Sequence, residues 1–242
     1  MSAKLDNDML NPRETQILRA IVNEYLHSAQ PIGSRVLRVR YGFGISPATI
    51  RNVMATLTEA GFLEQPHVSA GRVPTDRAFR LVMESASTAE PSLAEQQKLS
   101  IRLEKAGTPA RATRKLAEQL SETAGAAGIH LDEDGVQLFN LANVFGQPEF
   151  EDPRVASYLA ELLDRVKEWL PKLASRVNQV GVRIGAEHED FRARAVAMIG
   201  LKVKPADTYE ARIGVIGSTR MPYQRLSRLF DYGRKELVRV YG

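Results

Sequence analysis

The segment from Ile45 to Gly61, ISPATIRNVMATLTEAG, constrains the chain most, because it carries both the start and the stop signals of one short helix. Ser46 is a favourable N-cap residue and Pro47 suits the first helical position. Glycine, here Gly61, is typical of a helix stop. At 100° per residue an apolar side forms, which predicts that the helix packs on a core. This side consists of Ile50, Val53, Met54, Leu57 and Gly61.

The opposite side of this helix predicts contact with DNA. Asn52 faces outward, with Thr49 and Thr56 on one shoulder and Arg51 on the other. Hydroxyl and amide side chains suit base edges, Asn can read adenine, and Arg can read guanine or hold a phosphate. An ordinary amphipathic surface helix would show a similar pattern, so the neighbouring elements must decide between the two interpretations.

The neighbouring elements predict a winged helix-turn-helix. A first helix is expected over Pro12–His27 and a second over Gly33–Tyr41. After the DNA-contacting helix, two short β-prone pieces flank Ser69–Gly71, which is good turn chemistry and predicts a small hairpin. Three helices followed by a hairpin are the layout of a winged helix-turn-helix.

Arginines concentrate in the same part of the chain. Between residues 33 and 80, seven arginines stand against three acidic residues, an excess of four that equals the formal net charge of the whole chain, +4. Arginine favours planar recognition of phosphate or guanine. The hairpin would place Arg72, with His67 and Ser69, beside the DNA backbone or in the minor groove. A surface histidine and a solvated loop charge are the alternatives for His67 and Arg72.

The second half of the chain predicts a separate α+β domain. Strands are expected at 136–144, 180–184, 195–203 and 209–216, with a long helix at 153–170 and a final helix at 223–240. The predicted organisation is a winged-helix domain at 1–88, a helical connector at 89–123 and an effector and dimerisation domain at 124–242.

Composition and motifs exclude several classes of protein. The chain contains no run of about eighteen apolar residues, so no membrane span is predicted. The N-terminus lacks the apolar core of a signal peptide. We therefore expect a cytoplasmic, nucleoid-associated protein with no membrane partner. The chain has no cysteine and four scattered histidines, so we expect no metal site and no cofactor. It has no G-x-S-x-G motif, and the loop at 214–219 lacks the lysine of a P-loop, so we expect no enzyme and no catalytic residue.

Five motifs spread over both halves carry a resemblance to a known family. They are PIGSRVL at 31–37, SPATIRNVMATLTEAGFLEQPHVSAGRVPT at 46–75, NVFGQPEF at 143–150, VRIGAEHE at 182–189 and GVIGSTRMPYQRL at 214–226. Together they resemble the HrcA family of heat-inducible transcription repressors. The N-terminal match is long and specific, and the later motifs are shorter but follow the order of the family.

The resemblance implies a dimeric repressor with an N-terminal winged helix followed by a GAF-like domain. It implies binding to an inverted-repeat operator, the CIRCE element, upstream of chaperone genes. It also implies that a GroE-type chaperonin keeps the repressor active and that heat stress releases it from DNA. The match places the reading role on Ser46, Thr49, Arg51 and Asn52, and the wing role on His67, Ser69 and Arg72. With Arg35, Pro47 and Thr56, these are the predicted DNA-binding residues.

The chain departs from the family pattern in its middle. Family members have strands and an inserted dimerising region before the NVFGQPEF motif, where this chain has only residues 124–137. We therefore expect a shortened member with a truncated GAF-like domain. Its dimer contact would move to the helix at 111–123, to the final helix or to an uncovered sheet edge. Two alternatives stay open: a ligand-responsive regulator whose GAF-like domain senses a small molecule, and a dimer that heat itself dissociates.

Overall fold

The computed structural model describes residues 10–84, 90–188 and 190–242, and it divides the chain into two compact units, Met1–Ser85 and Ala86–Gly242. The sequence also predicts an N-terminal arm at 1–11, a helix at 76–87 and a linker at 88–92. Most of the arm, the end of this helix and part of the linker lie outside the described residues. Both units contain helices and strands, so the chain is α+β. Among the described helices, none has the length and apolar character needed to cross a membrane.

Unit 1 combines helices with a two-stranded antiparallel sheet. Its elements are α1 Pro12–Ser28, α2 Ser34–Tyr41, α3 Pro47–Glu59, β1 Leu63–Glu64, β2 Val73–Pro74 and α4 Asp76–Glu84. Asn11 and Glu14 form a capping box that satisfies the free N–H groups at the start of α1. The three helices predicted before the hairpin are present, and their ends differ from the prediction by one or two residues.

The core of unit 1 lies between α1, α3 and the small sheet. Its buried side chains include Ile17, Leu18, Ile21, Ile50, Met54, Leu57, Phe62 and Phe79. The sequence predicts Val36, Leu37 and Tyr41 on the inward side of α2. This is wrong in part, because only Leu37 is buried while Val36 and Tyr41 are 40% and 37% exposed. Tyr41 instead stacks on Phe43, with ring centroids 5.7 Å apart. Helical periodicity alone cannot foresee this local contact.

Unit 2 is built around a five-stranded antiparallel sheet. Its strands are β3 Ala127–Asp132, β4 Gly135–Phe139, β5 Val180–Ile184, β6 Val196–Ala206 and β7 Tyr209–Ser218. Their order across the sheet is β4-β3-β7-β6-β5. Its helices are α5 Leu93–Glu104, α6 Pro109–Ala124, α7 Leu141–Phe145, α8 Pro153–Asp164, α9 Val166–Leu173 and α10 Tyr223–Tyr241.

Helices cover both faces of this sheet. On one face α6 approaches β3 closely at Gly128, where a Cβ would lie only 2.7 Å from the Cβ of Ser121. On the other face Leu170 of α9 packs beside Gly200 and Gly214, in a core with α8 and the short α7. Glycines at these strand positions let the helices approach the sheet.

The helices at 89–123 pack as part of unit 2 and are not a separate connector. Leu99 and Leu103 of α5 and Leu116 and Leu120 of α6 are all buried. α6 packs on β3, β7 and α10, and α5 packs on α6 and α10. The prediction missed this because the exposed sides of both helices are strongly polar, which resembles a solvated connector.

The middle of the chain also differs from the prediction. The strand expected at 136–144 ends at Phe139, because Asn140 takes a left-handed φ of 54° and α7 follows. Residues 124–137, expected to leave the sheet incomplete, supply β3, which lies between β4 and β7. The long helix expected at 153–170 is interrupted at Arg165, whose φ of −103° and ψ of 22° are not helical. Strands at the other three predicted positions are present.

Candidate nucleic-acid interface

The N-terminal half of α3 presents a row of exposed polar side chains. Ile50 and Met54 are buried beneath it, at 0% and 4% exposure. Arg51 and Asn52 are therefore turned away from the core and are exposed. The predicted division of this helix into an inward aliphatic side and an outward polar side is confirmed.

The start of α3 is organised by its cap. The Oγ of Ser46 accepts the N–H of Thr49 at 3.0 Å and lies 2.9 Å from the Thr49 hydroxyl. Pro47 occupies the first helical position, where its missing N–H costs nothing. Ser46 and Thr49 are exposed, so their remaining hydrogen-bonding capacity and the nearby helix N–H groups can meet an anion.

The arginine-rich segment is less positive at its surface than its composition suggests. Arg40 pairs with Glu24 at 2.5 Å, and Arg77 donates to the Ala60 carbonyl at 2.7 Å. Among the described residues, Arg35, Arg38 and Arg51 are exposed and have no ion pair or side-chain hydrogen bond. These three guanidinium groups therefore supply most of the exposed and unpaired positive charge of the segment.

The tip of the loop between β1 and β2 is held by one side chain. The Nε2 of Gln65 donates to the carbonyl of Val68 at 2.8 Å and to that of Ala70 at 3.1 Å. The N–H of Ala70 donates to the carbonyl of His67 at 2.9 Å, which closes a turn. His67, Val68 and Ser69 are exposed at this tip, and Val68 is 98% exposed. These hydrogen bonds thus fix the conformation of the loop tip that carries the three exposed residues.

Arg72 leaves the loop and is tied to the body of unit 1. Its backbone exchanges two hydrogen bonds with Ile32, of 2.8 and 2.9 Å. Gly71 permits this approach, because a Cβ there would lie 2.4 Å from the Ile32 carbonyl oxygen. The Nε of Arg72 donates to the Oγ1 of Thr58 at 3.0 Å. Arg72 is thus partly buried, with its terminal guanidinium nitrogens left to meet a ligand.

Three residues of this surface were not singled out from the sequence. Arg38 could have been, since it lies three residues after Arg35 and therefore on the same side of a helix. The roles of Thr58 and Gln65 could not be predicted from the sequence. The partner of Thr58 lies 14 residues away, and Gln65 donates hydrogen bonds to loop carbonyls. Arginines, hydroxyls and an amide on one surface can bind phosphates and base edges.

Two of the motifs in unit 2 meet in space and serve its structure. The Oε1 of Gln147 accepts the N–H of Ser218 at 3.3 Å, and the Nη2 of Arg220 donates to Glu149 at 2.9 Å. These contacts hold the end of β7 against the turn after α7. Among the residues that the structure describes, no group of three or more His, Asp or Glu side chains could hold a metal ion.

Comparison with known proteins points to one family. The family model described as HrcA protein C terminal domain matches residues 77–226. A curated relative from Desulforudis audaxviator, named heat-inducible transcription repressor HrcA, is 52% identical over 93 residues, which is 38% of this chain and 27% of the relative. One of the same name from Beutenbergia cavernae is 52% identical over 83 residues, 34% of this chain and 24% of the relative. In these matches the chain therefore covers about a quarter of the length of each curated relative.

One solved structure is similar over almost its whole length. It is a crystal structure of a hypothetical protein at 2.2 Å resolution, with a TM-score of 0.72 and 19% sequence identity. The match covers 97% of this chain and 98% of that one. At this identity the similarity shows the fold alone.

Proposed function

Because the chain belongs to the HrcA family, we propose that it is a sequence-specific DNA-binding repressor of heat-shock chaperone genes. The observation that carries the proposal is the outward side of α3, where Arg51 and Asn52 are exposed above buried Ile50 and Met54. The names of the curated relatives, heat-inducible transcription repressors, support the same function.

In this proposal unit 1 is a winged helix-turn-helix, with α3 in the major groove and the β1–β2 loop as the wing. Arg51 and Asn52 contact base edges, for which a guanidinium and an amide are suited. Contacts that position the protein on phosphates come from the helix start, from α2 and from the wing. The residues assigned to them are Arg35, Ser46, Pro47, Thr49, Thr56, His67, Ser69 and Arg72.

The operator is proposed to be an inverted repeat bound by a homodimer. Two copies whose α3 helices lie one helical turn apart would match its two half-sites. Unit 2, taken as a GAF-like domain, would hold the dimer through α6, α10 or the edge strand β4, which lies at one end of the sheet. Occupancy of the operator would then exclude polymerase.

The signal that releases the repressor is a separate part of the proposal. Control by a GroE-type chaperonin, as implied by the family resemblance, would keep the protein active until heat stress. Direct dissociation of the dimer by heat is the alternative. Operator binding that persists to global unfolding in the absence of chaperonin would contradict the second mechanism.

Selection of bound sites from random double-stranded DNA with the purified full chain tests the main proposal. We expect a palindrome with half-sites about one helical turn apart. The double variant Arg51→Ala and Asn52→Ala should recover no such sequence. Recovery of a single half-site would contradict the homodimer, and failure to enrich any sequence would contradict the repressor function.

A further inference from the structure

A cavity of about 460 Å³ lies in unit 2 between α8, α9 and the β5–β6 end of the sheet. Tyr158, Leu162, Trp169 and Met198 give it an apolar lining. Met198 is only 3% exposed, so the other three side chains supply most of this apolar surface. Its volume lies within the range of small-molecule sites, and its remaining lining residues are charged or polar.

His188 also lines the cavity. The residue is 9% exposed, and its Nε2 is buried with no hydrogen-bond partner among the described residues. Burial lowers the pKa of His188, while a hydrogen bond with the Val196 backbone opposes that shift. The lowered pKa favours the neutral ring at pH 7. His188 thus adds no charge to the lining, and its buried Nε2 is out of reach of a molecule in the cavity.

Uncompensated positive charge surrounds the opening of the cavity. Arg165 and Glu168 both line it, but they pair with each other at 2.5 Å. Asp190 also lines it and pairs with a neighbouring arginine at 2.8 Å. Lys172 and Arg183 are exposed lining residues with no ion pair among the described residues. The local balance therefore favours an anionic group.

We propose that this cavity binds a small aromatic carboxylic acid. Its ring would lie against Trp169 and Leu162, and its carboxylate would be held by Lys172 and Arg183. The site goes beyond the proposed DNA binding, and its occupancy is measured without DNA, so either proposal can fail while the other stands.

Titration of the full chain with 2-naphthoate, and with the neutral analogue 2-naphthamide, tests the site. Calorimetry measures affinity, and the indole N–H resonance of Trp169 reports the location. Trp169 is the single tryptophan of the chain, and its Nε1 donates to the Leu162 carbonyl at 2.7 Å. We expect saturable binding of one naphthoate per chain with a shift of this resonance, and about tenfold weaker binding of the amide.

Substitutions at the opening of the cavity test the charge. Arg183→Gln and Lys172→Gln should each raise the Kd for 2-naphthoate about tenfold, because each removes a charge-assisted contact. Both residues are exposed, so the variants should fold. Lys167→Gln is the matched control, since Lys167 is an exposed residue of α9 that does not line the cavity, and it should leave the Kd unchanged.

Three outcomes would overturn the proposal. They are equal affinity for the acid and the amide, an effect of Lys167→Gln as large as that of Lys172→Gln, and the absence of binding at millimolar naphthoate. Binding that leaves the Trp169 resonance unshifted would also overturn it, because the acid would then occupy another part of the protein.

Discussion

Arg72 and Thr58 are joined by a hydrogen bond of 3.0 Å from the arginine Nε to the threonine Oγ1. The bond ties the loop that follows β1 to the last turn of α3. Thr58 also donates to the carbonyl of Met54 at 2.8 Å, so the acceptor is itself held in place. Arg72 is thereby aimed by α3, and the loop and the helix that we propose to contact DNA are oriented as one surface.

Arg72→Ala should weaken binding to all DNA sequences and reduce the slope of log affinity against log salt by about one, because one phosphate contact is lost. Thr58→Val should weaken binding less and keep the slope, because the charge remains but is no longer oriented. Fluorescence anisotropy over a range of salt concentrations measures both. An unchanged slope for Arg72→Ala would show that Arg72 makes no phosphate contact.

Arg51→Ala and Asn52→Ala should each weaken operator binding by about 1–3 kcal/mol and relax the sequence preference, because each removes a proposed base contact. Gel-shift titration with operator and scrambled DNA measures the loss. Arg19→Ala is the charge-matched control, since Arg19 is exposed on α1, a helix that carries none of the proposed contacts. Wild-type affinity in both α3 variants would show that the recognition helix is wrongly assigned.

Gly71→Ala should destabilise unit 1 by about 1–3 kcal/mol, the usual cost of forcing extra atoms into a packed site. The added Cβ would lie 2.4 Å from the Ile32 carbonyl oxygen, so the backbone bridge to Arg72 must shift. Gly33→Ala is the control, because a Cβ there meets nothing within 4 Å. Urea unfolding compares the two variants, and equal free energies of unfolding would contradict the close approach at Gly71.

His130 should make unit 2 sensitive to acid. It is fully buried on β3, with its Nε2 2.9 Å from the Thr113 hydroxyl and 3.3 Å from the Tyr209 hydroxyl. Burial lowers its pKa to about 4, although nearby Asp132 opposes the shift. Because the folded pKa lies below the unfolded value of 6.5, the stabilisation is complete above pH 6.5 and is lost as the pH falls towards 4.

The free energy of unfolding should therefore fall by up to about 1.4 kcal/mol per pH unit within this window. His130→Gln removes the titrating group, so its free energy of unfolding should be lower at neutral pH but should vary less between pH 6.5 and 4.5. Urea unfolding at several pH values gives both curves. Parallel curves for the wild type and the variant would contradict an acid-sensitive role for His130.

The amino-acid sequence by itself determined the short-range features of this protein. Ser46 and Pro47 start α3, and Gly61, with a φ of 76°, follows its end. The sequence also predicted the alternation of buried Ile50, Met54 and Leu57 with exposed polar residues. Caps and helical faces depend on residues within one or two turns, so their signals lie together in the sequence.

Only the tertiary structure decided which groups are free to act. Arg40 is occupied by Glu24, and Arg77 by the Ala60 carbonyl, at separations of 16 and 17 residues. The cavity in unit 2 likewise combines Trp169, Arg183 and His188 from a helix, a strand and the segment after it. Packing brings distant chain segments together, and these segments decide whether a charge is paired or a ring nitrogen is buried. Local sequence patterns cannot predict those partners.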